Sequence, residues 1–126
     1  VKFNKIVGLD AIGFIIGGAM ALKLKKPFVV IRKKGKLPGI KGTLVGGHSF
    51  CDYSKTKKSF EMNKGSIKKG DKVLIVDEWI DTGAQMKAAV KLIEKQNGKV
   101  VGITALRAVK RRETKILFDK YNCHSI

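Results

Sequence analysis

Four short apolar runs, rich in β-branched residues, recur along the chain. Runs that are apolar at successive positions are typical of strands buried on both faces of a sheet. The predicted strands are KIVGL (5–9), PFVVIRK (27–33), KVLIVDE (72–78) and KVVGITALRAV (99–109). Because helical segments separate some of them, the pattern predicts a parallel sheet with helices on both sides.

Helical patterning is clearest after the third strand, where apolar residues follow the spacing i, i+3, i+4, i+7: Met86, Ala89, Val90 and Ile93. Asn97-Gly98 then supplies a left-handed stop. The predicted helices are 11–25, 84–96 and 113–121. We therefore expect one α/β core domain over residues 1–126. The apolar stretch 13–22 should belong to a buried amphipathic helix, since it is too short to span a bilayer.

One long connection interrupts this rhythm. Residues 34–71 contain five glycines before position 48 and no helical pattern, and the segments HSFCDY (48–53) and KSFEM (58–62) could pair as a hairpin. A compact domain rarely carries a connection of this length unless it serves as a lid or a binding loop.

Charged residues follow three of the predicted strands. The first strand leads into Asp10-Ala11-Ile12-Gly13, the second into a cationic segment with Arg32, Lys33 and Lys36, and the third ends in Asp77-Glu78. The carboxyl ends of parallel strands share one rim, where ligands bind. A ligand with phosphates and hydroxyls fits such a rim, with Mg²⁺ as a further candidate.

The turn Asp81-Thr82-Gly83-Ala84-Gln85 allows two interpretations. Backbone N–H groups at the start of the following helix can bind a phosphate, and Thr82 and Gln85 add side-chain donors. Alternatively, Asp81 or Thr82 is simply the N-cap of that helix. The turn by itself leaves both interpretations open.

Three stretches of the sequence resemble a known family. VLIVDEWIDTGAQ (73–85) resembles the phosphoribosyl-diphosphate signature of type I phosphoribosyltransferases. The segment from KIVGLDAIGF to RKKGKLPG is similar to adenine phosphoribosyltransferases in particular, and SFCDYSKTKKSFEM (49–62) resembles their flexible catalytic loop. The three motifs occur in the family's order and cover nearly all of residues 5–109.

The resemblance implies a role for each motif. Asp77 and Glu78 would hold the ribose hydroxyls, directly or through water bound to Mg²⁺. The 5-phosphate would be bound by Asp81, Thr82, Gly83, Ala84 and Gln85, and the pyrophosphate by Arg32, Lys33, Lys36 and the turn that includes Ala11 and Ile12. The loop 48–61 would close over the site, where Asp52 would handle the proton on the purine.

The sequence also departs from the family pattern. Ile12 stands where the family has arginine, and Glu78 replaces the second aspartate of the signature. Asp81 replaces a small residue, and Ala84-Gln85 replaces Gly-Thr. A carboxylate beside a phosphate weakens binding unless it points away or meets a cation. We also expect the family's N-terminal hood segment to be absent from these residues.

The resemblance thus implies an enzyme of purine salvage that transfers phosphoribosyl from phosphoribosyl diphosphate to a purine, adenine first, and releases pyrophosphate. A homodimer is implied in the same way. The departures motivate an alternative, a non-catalytic regulatory module of the same fold that binds phosphoribosyl diphosphate or a nucleotide.

The composition of the chain is strongly basic. Lys and Arg total 27 against 10 acidic residues, for a formal charge of +17 that would attract polyanions. However, four of the 27 are arginine and the rest are scattered lysines, whereas base-reading proteins rely on arginine. We therefore interpret the charge mainly as solvated surface and expect no nucleic-acid partner. Two cysteines form no disulfide framework, so we expect a cytoplasmic protein with no membrane association.

Three further features receive structural interpretations. Trp79 is expected to pack under a neighbouring helix, with stacking on a base as the alternative. The segment Lys110-Arg111-Arg112 is expected to be a solvated turn. The zinc-type residues His48, Cys51, Cys123 and His124 are interpreted as ordinary polar or buried positions.

Overall fold

In a computed structural model, which describes residues 2–39, 42–47, 49–51 and 55–125, a seven-stranded sheet forms the centre of the chain. Its strand order is β3-β6-β2-β1-β7-β8-β9, and β4 and β5 form a separate pair. The elements are β1 (Lys5–Leu9), α1 (Ile12–Leu24), β2 (Phe28–Lys33), β3 (Leu44–Gly46), β4 (Phe50–Cys51), β5 (Lys57–Lys58), β6 (Phe60–Asn63), β7 (Lys72–Ile80), α2 (Ala84–Lys95), β8 (Lys99–Ala108), α3 (Lys115–Lys120) and β9 (Cys123–Ser125).

The four predicted strands are β1, β2, β7 and β8, and they pair in parallel, as does β9 with β8. The prediction of a parallel sheet is wrong for one edge, because β6 pairs antiparallel with β2 and with β3. The reason is that no helix is described between β2 and β6, and a parallel return needs a crossover connection. The predicted third strand also continues to Ile80, so Asp77 and Glu78 lie within β7.

The helices cover both faces of the sheet, as predicted. α2 and α3 pack on one face over the larger core, whose fully buried side chains include Val7, Ile75 and Leu92. α1 packs on the other face over a smaller cluster built around Ile6 and Val76. Neighbouring residues of β1 and of β7 therefore point into different cores, as the two-residue period of a strand requires.

The predicted hairpin is confirmed in part. Phe50 pairs with Lys58 and Cys51 with Lys57, so β4 and β5 are antiparallel neighbours. The segment from Phe60 onward instead joins the main sheet as β6, where Phe60 and Met62 are buried. The Phe50 and Phe60 rings, 4.7 Å apart, pack the hairpin against that strand.

The helix α1 differs from the amphipathic helix predicted for it. Its inner face is buried, but its outer face is apolar as well, with Ile15 73% and Leu22 82% exposed. With Ile12 and Ala19 they form an exposed row at 3-4-3 spacing, which we call the α1 stripe (Ile12, Ile15, Ala19 and Leu22). Among the described residues, no helix has both the length and the hydropathy needed to cross a bilayer.

Candidate functional site

A cavity of about 740 Å³ opens at the carboxyl ends of β1, β2 and β7. Every site residue predicted from the sequence that the structure describes lines this cavity: Ala11, Ile12, Arg32, Lys33, Lys36, Asp77, Glu78, Asp81, Thr82, Gly83, Ala84 and Gln85. Asp52, predicted as the acid of the catalytic loop, lies outside the described residues. The fold thus brings the acidic pair, the cationic segment and the Thr-Gly turn to one rim.

Asp77 is the most buried acid of the cavity, with 8% of the residue exposed. Burial raises the pKa of its carboxyl group from 3.8 to about 7. The backbone N–H of Glu78, which donates to Asp77 Oδ1 at 2.8 Å, opposes this shift, and so does the charge of Lys33. The ionised carboxylate is therefore costly in this position, and a bound cation would stabilise it.

The chemistry of the donor set fits Mg²⁺ bound together with a substrate. Asp77 and Glu78 are adjacent carboxylates that line the open cavity. Mg²⁺ is commonly held by one or two carboxylates, with waters and substrate oxygens completing its shell. The described residues contain no group of three or more metal-ligating side chains, so these two acids could not by themselves form a closed protein cage.

Arg32, on the cationic side of the cavity, is held in place by the end of β1. Its Nε donates to Asp10 Oδ2 at 3.1 Å, and its Nη1 donates to the carbonyl of Lys36 at 3.3 Å. The guanidinium group also lies 5.7 Å from the centre of the Phe14 ring. Asp10 thus orients Arg32, a role that the sequence did not suggest because the two residues belong to different strand ends.

The turn after β2 is anchored by a buried glutamate. Glu61, on β6, accepts a hydrogen bond from the backbone N–H of Gly35 at 2.9 Å and is 9% exposed. Gly35 has φ of 88°, a left-handed conformation that favours glycine. This contact fixes the backbone between Lys33 and Lys36, and nothing in the local sequence pattern distinguishes Glu61.

The Thr-Gly turn does not follow the N-cap interpretation. Gly83 is the N-cap of α2, with φ of 83°, and it has no side chain that could cap the helix. Thr82 Oγ1 is 3.4 Å from the backbone nitrogen of Ala84, which is too long for a strong hydrogen bond. The interpretation of Asp81 or Thr82 as the cap is therefore wrong, and the backbone donors at the start of α2 remain available to a ligand.

Asp81 meets a cation from another part of the chain. Arg111 Nη2 lies 2.5 Å from Asp81 Oδ1, and both side chains are partly exposed. The turn that carries Arg111 is held by buried Thr114, whose Oγ1 accepts from the Arg111 N–H and donates to the Val109 carbonyl. The segment predicted as a solvated turn is exposed, and Arg111 compensates the charge that Asp81 brings to the Thr-Gly turn.

Trp79 does not pack under a helix, and that prediction is wrong. The residue is 52% exposed and lines the cavity. It lies near the end of β7, between Asp77 and the Thr-Gly turn. The guanidinium of Arg107, its partner on β8, lies 5.2 Å from the ring centre.

The four zinc-type residues are not brought together as far as the structure describes them. Both cysteines are free: Cys51 is exposed beside the cavity, and Cys123 is buried in β9. Burial raises the pKa of the Cys123 thiol. His48 lies outside the described residues.

Comparison with known sequences matches nearly the whole chain to one family. The family model described as "Phosphoribosyl transferase domain" matches residues 2–126. The adenine phosphoribosyltransferase of Cereibacter sphaeroides is 44% identical over 102 residues, which are 81% of this chain and 54% of that protein. That of Kosmotoga olearia is 40% identical over 125 residues, 99% of this chain and 71% of that protein. The chain spans about half the length of the first of these relatives.

Solved structures give the same result for the fold. The adenine phosphoribosyltransferase of Rhodothermus marinus superimposes with a TM-score of 0.85 at 34% identity, covering 98% of this chain and 68% of that one. The enzyme of Saccharomyces cerevisiae, solved with an imino-altritol bisphosphate and adenine, gives 0.83 at 30% identity and covers 99% and 68%.

Proposed function

Since this chain belongs to the phosphoribosyl transferase domain family, as its motifs predicted, we propose that it transfers phosphoribosyl from phosphoribosyl diphosphate to a purine base, adenine first, in purine salvage. The observation that carries the proposal is that the acidic pair, the cationic segment and the Thr-Gly turn line the same cavity. Relatives named adenine phosphoribosyltransferase support adenine as the base.

Each group of residues that lines the cavity has a proposed role in this reaction. Asp77 and Glu78 accept hydrogen bonds from the ribose hydroxyls and would also hold Mg²⁺, which when bound neutralises the departing pyrophosphate. The Thr-Gly turn binds the 5-phosphate through backbone N–H groups. Arg32, Lys33 and Lys36 bind the pyrophosphate. The bond between the ribose anomeric carbon and the pyrophosphate oxygen breaks, and a bond to the purine nitrogen forms.

The purine loses a proton in this step, and Asp52 is the proposed acceptor by the family resemblance. The remaining catalysis consists of positioning and charge stabilisation, since the protein forms no covalent bond. Asp10 and Glu61 contribute by holding the cationic side rigid, because one orients Arg32 and the other fixes the backbone at Gly35.

The departures from the family pattern are compatible with this function. Asp81 is paired with Arg111, so its charge does not act alone on the 5-phosphate. Ile12 supplies no cation, which leaves the pyrophosphate to Arg32, Lys33 and Lys36.

An assay of nucleotide formation tests the proposal. Protein, Mg²⁺, phosphoribosyl diphosphate and labelled adenine should yield AMP and pyrophosphate, and the double variant Asp77→Asn/Glu78→Gln should yield neither at a measurable rate. Ile116→Ala, an exposed position on α3 outside the cavity, is the matched control and should retain activity. Failure to form a nucleotide from adenine, guanine or hypoxanthine would overturn the proposal. Tight binding of phosphoribosyl diphosphate without turnover would instead favour the non-catalytic regulatory module.

The same proposal covers the domain organisation and the cellular location of the protein. Residues 1–126 act as a single core domain, a proposal supported by the seven-stranded sheet to which both β1 and β9 belong. A cytoplasmic location is supported by the two free cysteines, because reduced thiols persist in that compartment.

A homodimer formed through the α1 stripe also belongs to the proposal. The stripe is apolar and uncharged, whereas the rest of a molecule with a charge of +17 repels a second copy. The 3-4-3 spacing suits contact with another helix, and one row of residues can contact its own twofold-related copy.

Leu22→Glu should therefore shift the protein from dimer to monomer, because two carboxylates would be buried at the contact. Analytical ultracentrifugation of the variant, beside the wild type and Ile116→Glu, measures the change. Ile116 is an exposed apolar residue outside the stripe, so its variant should sediment as the wild type does. Equal masses for the wild type and Leu22→Glu would contradict this interface.

A further inference from the structure

We infer that Asp81 competes with a bound phosphate for Arg111, so that this ion pair determines how tightly the Thr-Gly turn binds a 5-phosphate. The inference rests on the proposed function, because it concerns the affinity of that same phosphate site. It gives a ligand-binding role to Arg111, a residue to which the motifs of the sequence assign none.

The two members of the pair differ in their access to the cavity. Asp81 lines the cavity directly before the Thr-Gly turn, whereas Arg111 does not line it. Arg111 Nη2 donates to Asp81 Oδ1 at 2.5 Å, and the two side chains are 45% and 41% exposed, respectively. The charge that the cavity presents at this point is therefore a carboxylate, while the guanidinium that would attract a phosphate is held outside.

The segment that carries Arg111 packs directly against the Thr-Gly turn. A Cβ at Gly83 would be 3.1 Å from Thr114 Cγ2 and 3.1 Å from Leu117 Cδ1, so these two side chains contact the turn. Thr114 is fully buried, and its hydroxyl accepts from the N–H of Arg111 and donates to the carbonyl of Val109. The backbone at Arg111 is thus fixed close to the phosphate site, while its partly exposed side chain is free to turn toward that site.

The side chain of Arg111 can exchange one anionic partner for another. Among the described residues, Asp81 is the only acceptor within hydrogen-bond distance of its guanidinium. A guanidinium carries five N–H donors in a planar fork that matches both carboxylate and phosphate. Because an ion pair between partly exposed side chains stabilises a protein only slightly, replacing the Asp81 carboxylate by a phosphate has a small cost.

Asp81 lowers the affinity for a phosphate in two ways. Its carboxylate repels the phosphate directly, and Arg111 has to give up contact with Asp81 in order to bind the ligand. The side chain of Lys87 also approaches Gly83, so the turn keeps a second cation nearby whether or not Arg111 is released. Removal of the carboxylate should therefore strengthen phosphate binding, and removal of the guanidinium should weaken it.

Asp81→Asn tests the inference by the sign of its effect. It should bind ribose 5-phosphate roughly three- to tenfold more tightly than the wild type, by isothermal titration calorimetry, because Arg111 then lacks a charged partner in the protein. The affinity for adenosine, which has no phosphate, should stay as it is in the wild type. Asp119→Asn is the matched control and should change neither affinity, since Asp119 is an exposed acid outside the cavity that is likewise paired with a cation, Lys115.

Arg111→Gln tests the cation of the pair. Ribose 5-phosphate should bind roughly three- to tenfold more weakly, because Asp81 is left unpaired beside the phosphate. Arg112→Gln, at the neighbouring exposed arginine outside the cavity, removes the same charge and should leave the affinity unchanged. The double variant Asp81→Asn/Arg111→Gln should return to within about threefold of the wild type, because it lacks both charges.

A purely structural role of the pair predicts a different pattern. If the ion pair only held the Thr-Gly turn in place, each single variant would bind ribose 5-phosphate more weakly, and the double variant would bind it no better than either. That pattern would overturn the inference. An unchanged affinity in Arg111→Gln would also overturn it, because Arg111 would then take no part in binding.

The inference and the proposed function fail in different ways. If the wild type binds ribose 5-phosphate and Asp81→Asn does not bind it more tightly, the inference alone is wrong. If the wild type binds neither ribose 5-phosphate nor phosphoribosyl diphosphate, the proposed function is wrong as well.

Discussion

Asp77→Asn should make the protein more stable at pH 8 and at the same time remove most of its affinity for phosphoribosyl diphosphate. The stability effect follows from burial, which raises the pKa of Asp77 to about 7 in the folded protein, whereas the unfolded chain titrates near 3.8. Between these values the folded protein holds a proton that the unfolded chain has released. The free energy of unfolding therefore falls as the pH rises from about 4 to about 7, by up to about 1.4 kcal/mol per pH unit.

Asparagine removes this titration and keeps an oxygen that can accept the N–H of Glu78. At pH 8 the variant should be more stable by on the order of 2–4 kcal/mol, measured by urea unfolding at several pH values. The titration of Asp71 does not affect the comparison of the two proteins, because it occurs at lower pH. Burial opposes its shift, but hydrogen bonds from Lys5, the N–H of Lys68 and Asn4 hold the pKa of Asp71 at about 2. Its stabilising effect is therefore lost below about pH 4. If the stability of Asp77→Asn changed with pH between about 4 and 7 as that of the wild type does, the raised pKa would not belong to Asp77.

The affinity effect has the opposite sign. The neutral asparagine side chain loses charge-assisted hydrogen bonds to the ribose and one of the two carboxylates proposed for Mg²⁺. The loss of about 3 kcal/mol corresponds to roughly 100-fold weaker binding of phosphoribosyl diphosphate, measurable by calorimetry with Mg²⁺ present. Glu78→Gln is the informative companion. Glu78 is only half-buried, so this variant should lower affinity with little gain in stability.

Gly13→Ala should destabilise the protein by about 3 kcal/mol. Gly13 lies in the first turn of α1 against the end of β7. A Cβ at this position would be 2.7 Å from the Val76 carbonyl oxygen and 3.5 Å from Asp77 Oδ1. Since the obstacle is the backbone of a central strand, α1 would have to move away from the sheet.

The same helix provides a control for this prediction. A Cβ at Gly18 meets nothing within 4 Å, so Gly18→Ala should be neutral or stabilising by up to about 1 kcal/mol through helix propensity. Thermal and urea unfolding of both variants give the comparison. Gly13→Ala should also bind phosphoribosyl diphosphate more weakly, because the clash adjoins Asp77. Equal stability of the two variants would show that α1 is not tightly held against β7.

The parts of the fold that were predictable depend on local pattern. Runs such as KVLIVDE (72–78) are apolar at successive positions because both faces of a central strand are buried, and this property is visible in the sequence. The acidic pair and the Thr-Gly turn could be located for the same reason, since they follow directly from the end of that run.

The parts that were not predictable depend on pairs of distant residues. Asp81 and Arg111 are 30 positions apart, and Gly35 and Glu61 are 26 apart, so no periodicity connects them. The antiparallel edge was missed because β6 is short and resembles the second half of a hairpin. Trp79 was misplaced because the strand was expected to end at Glu78, which would have allowed the chain to turn the ring toward a helix.

The hydrogen bond between Gly35 and Glu61 has a consequence for engineering. The hairpin of β4 and β5 precedes β6, so any exchange of this loop between relatives has its second junction near Glu61. A graft that ends before Ser59 and keeps Phe50 would preserve the Glu61 contact, the Ser59 carbonyl that accepts from the N–H of Lys34, and the packing of Phe50 on Phe60. A graft that replaces Phe60–Asn63 would also release the backbone between Lys33 and Lys36, and would alter pyrophosphate binding although no residue of that turn had been changed.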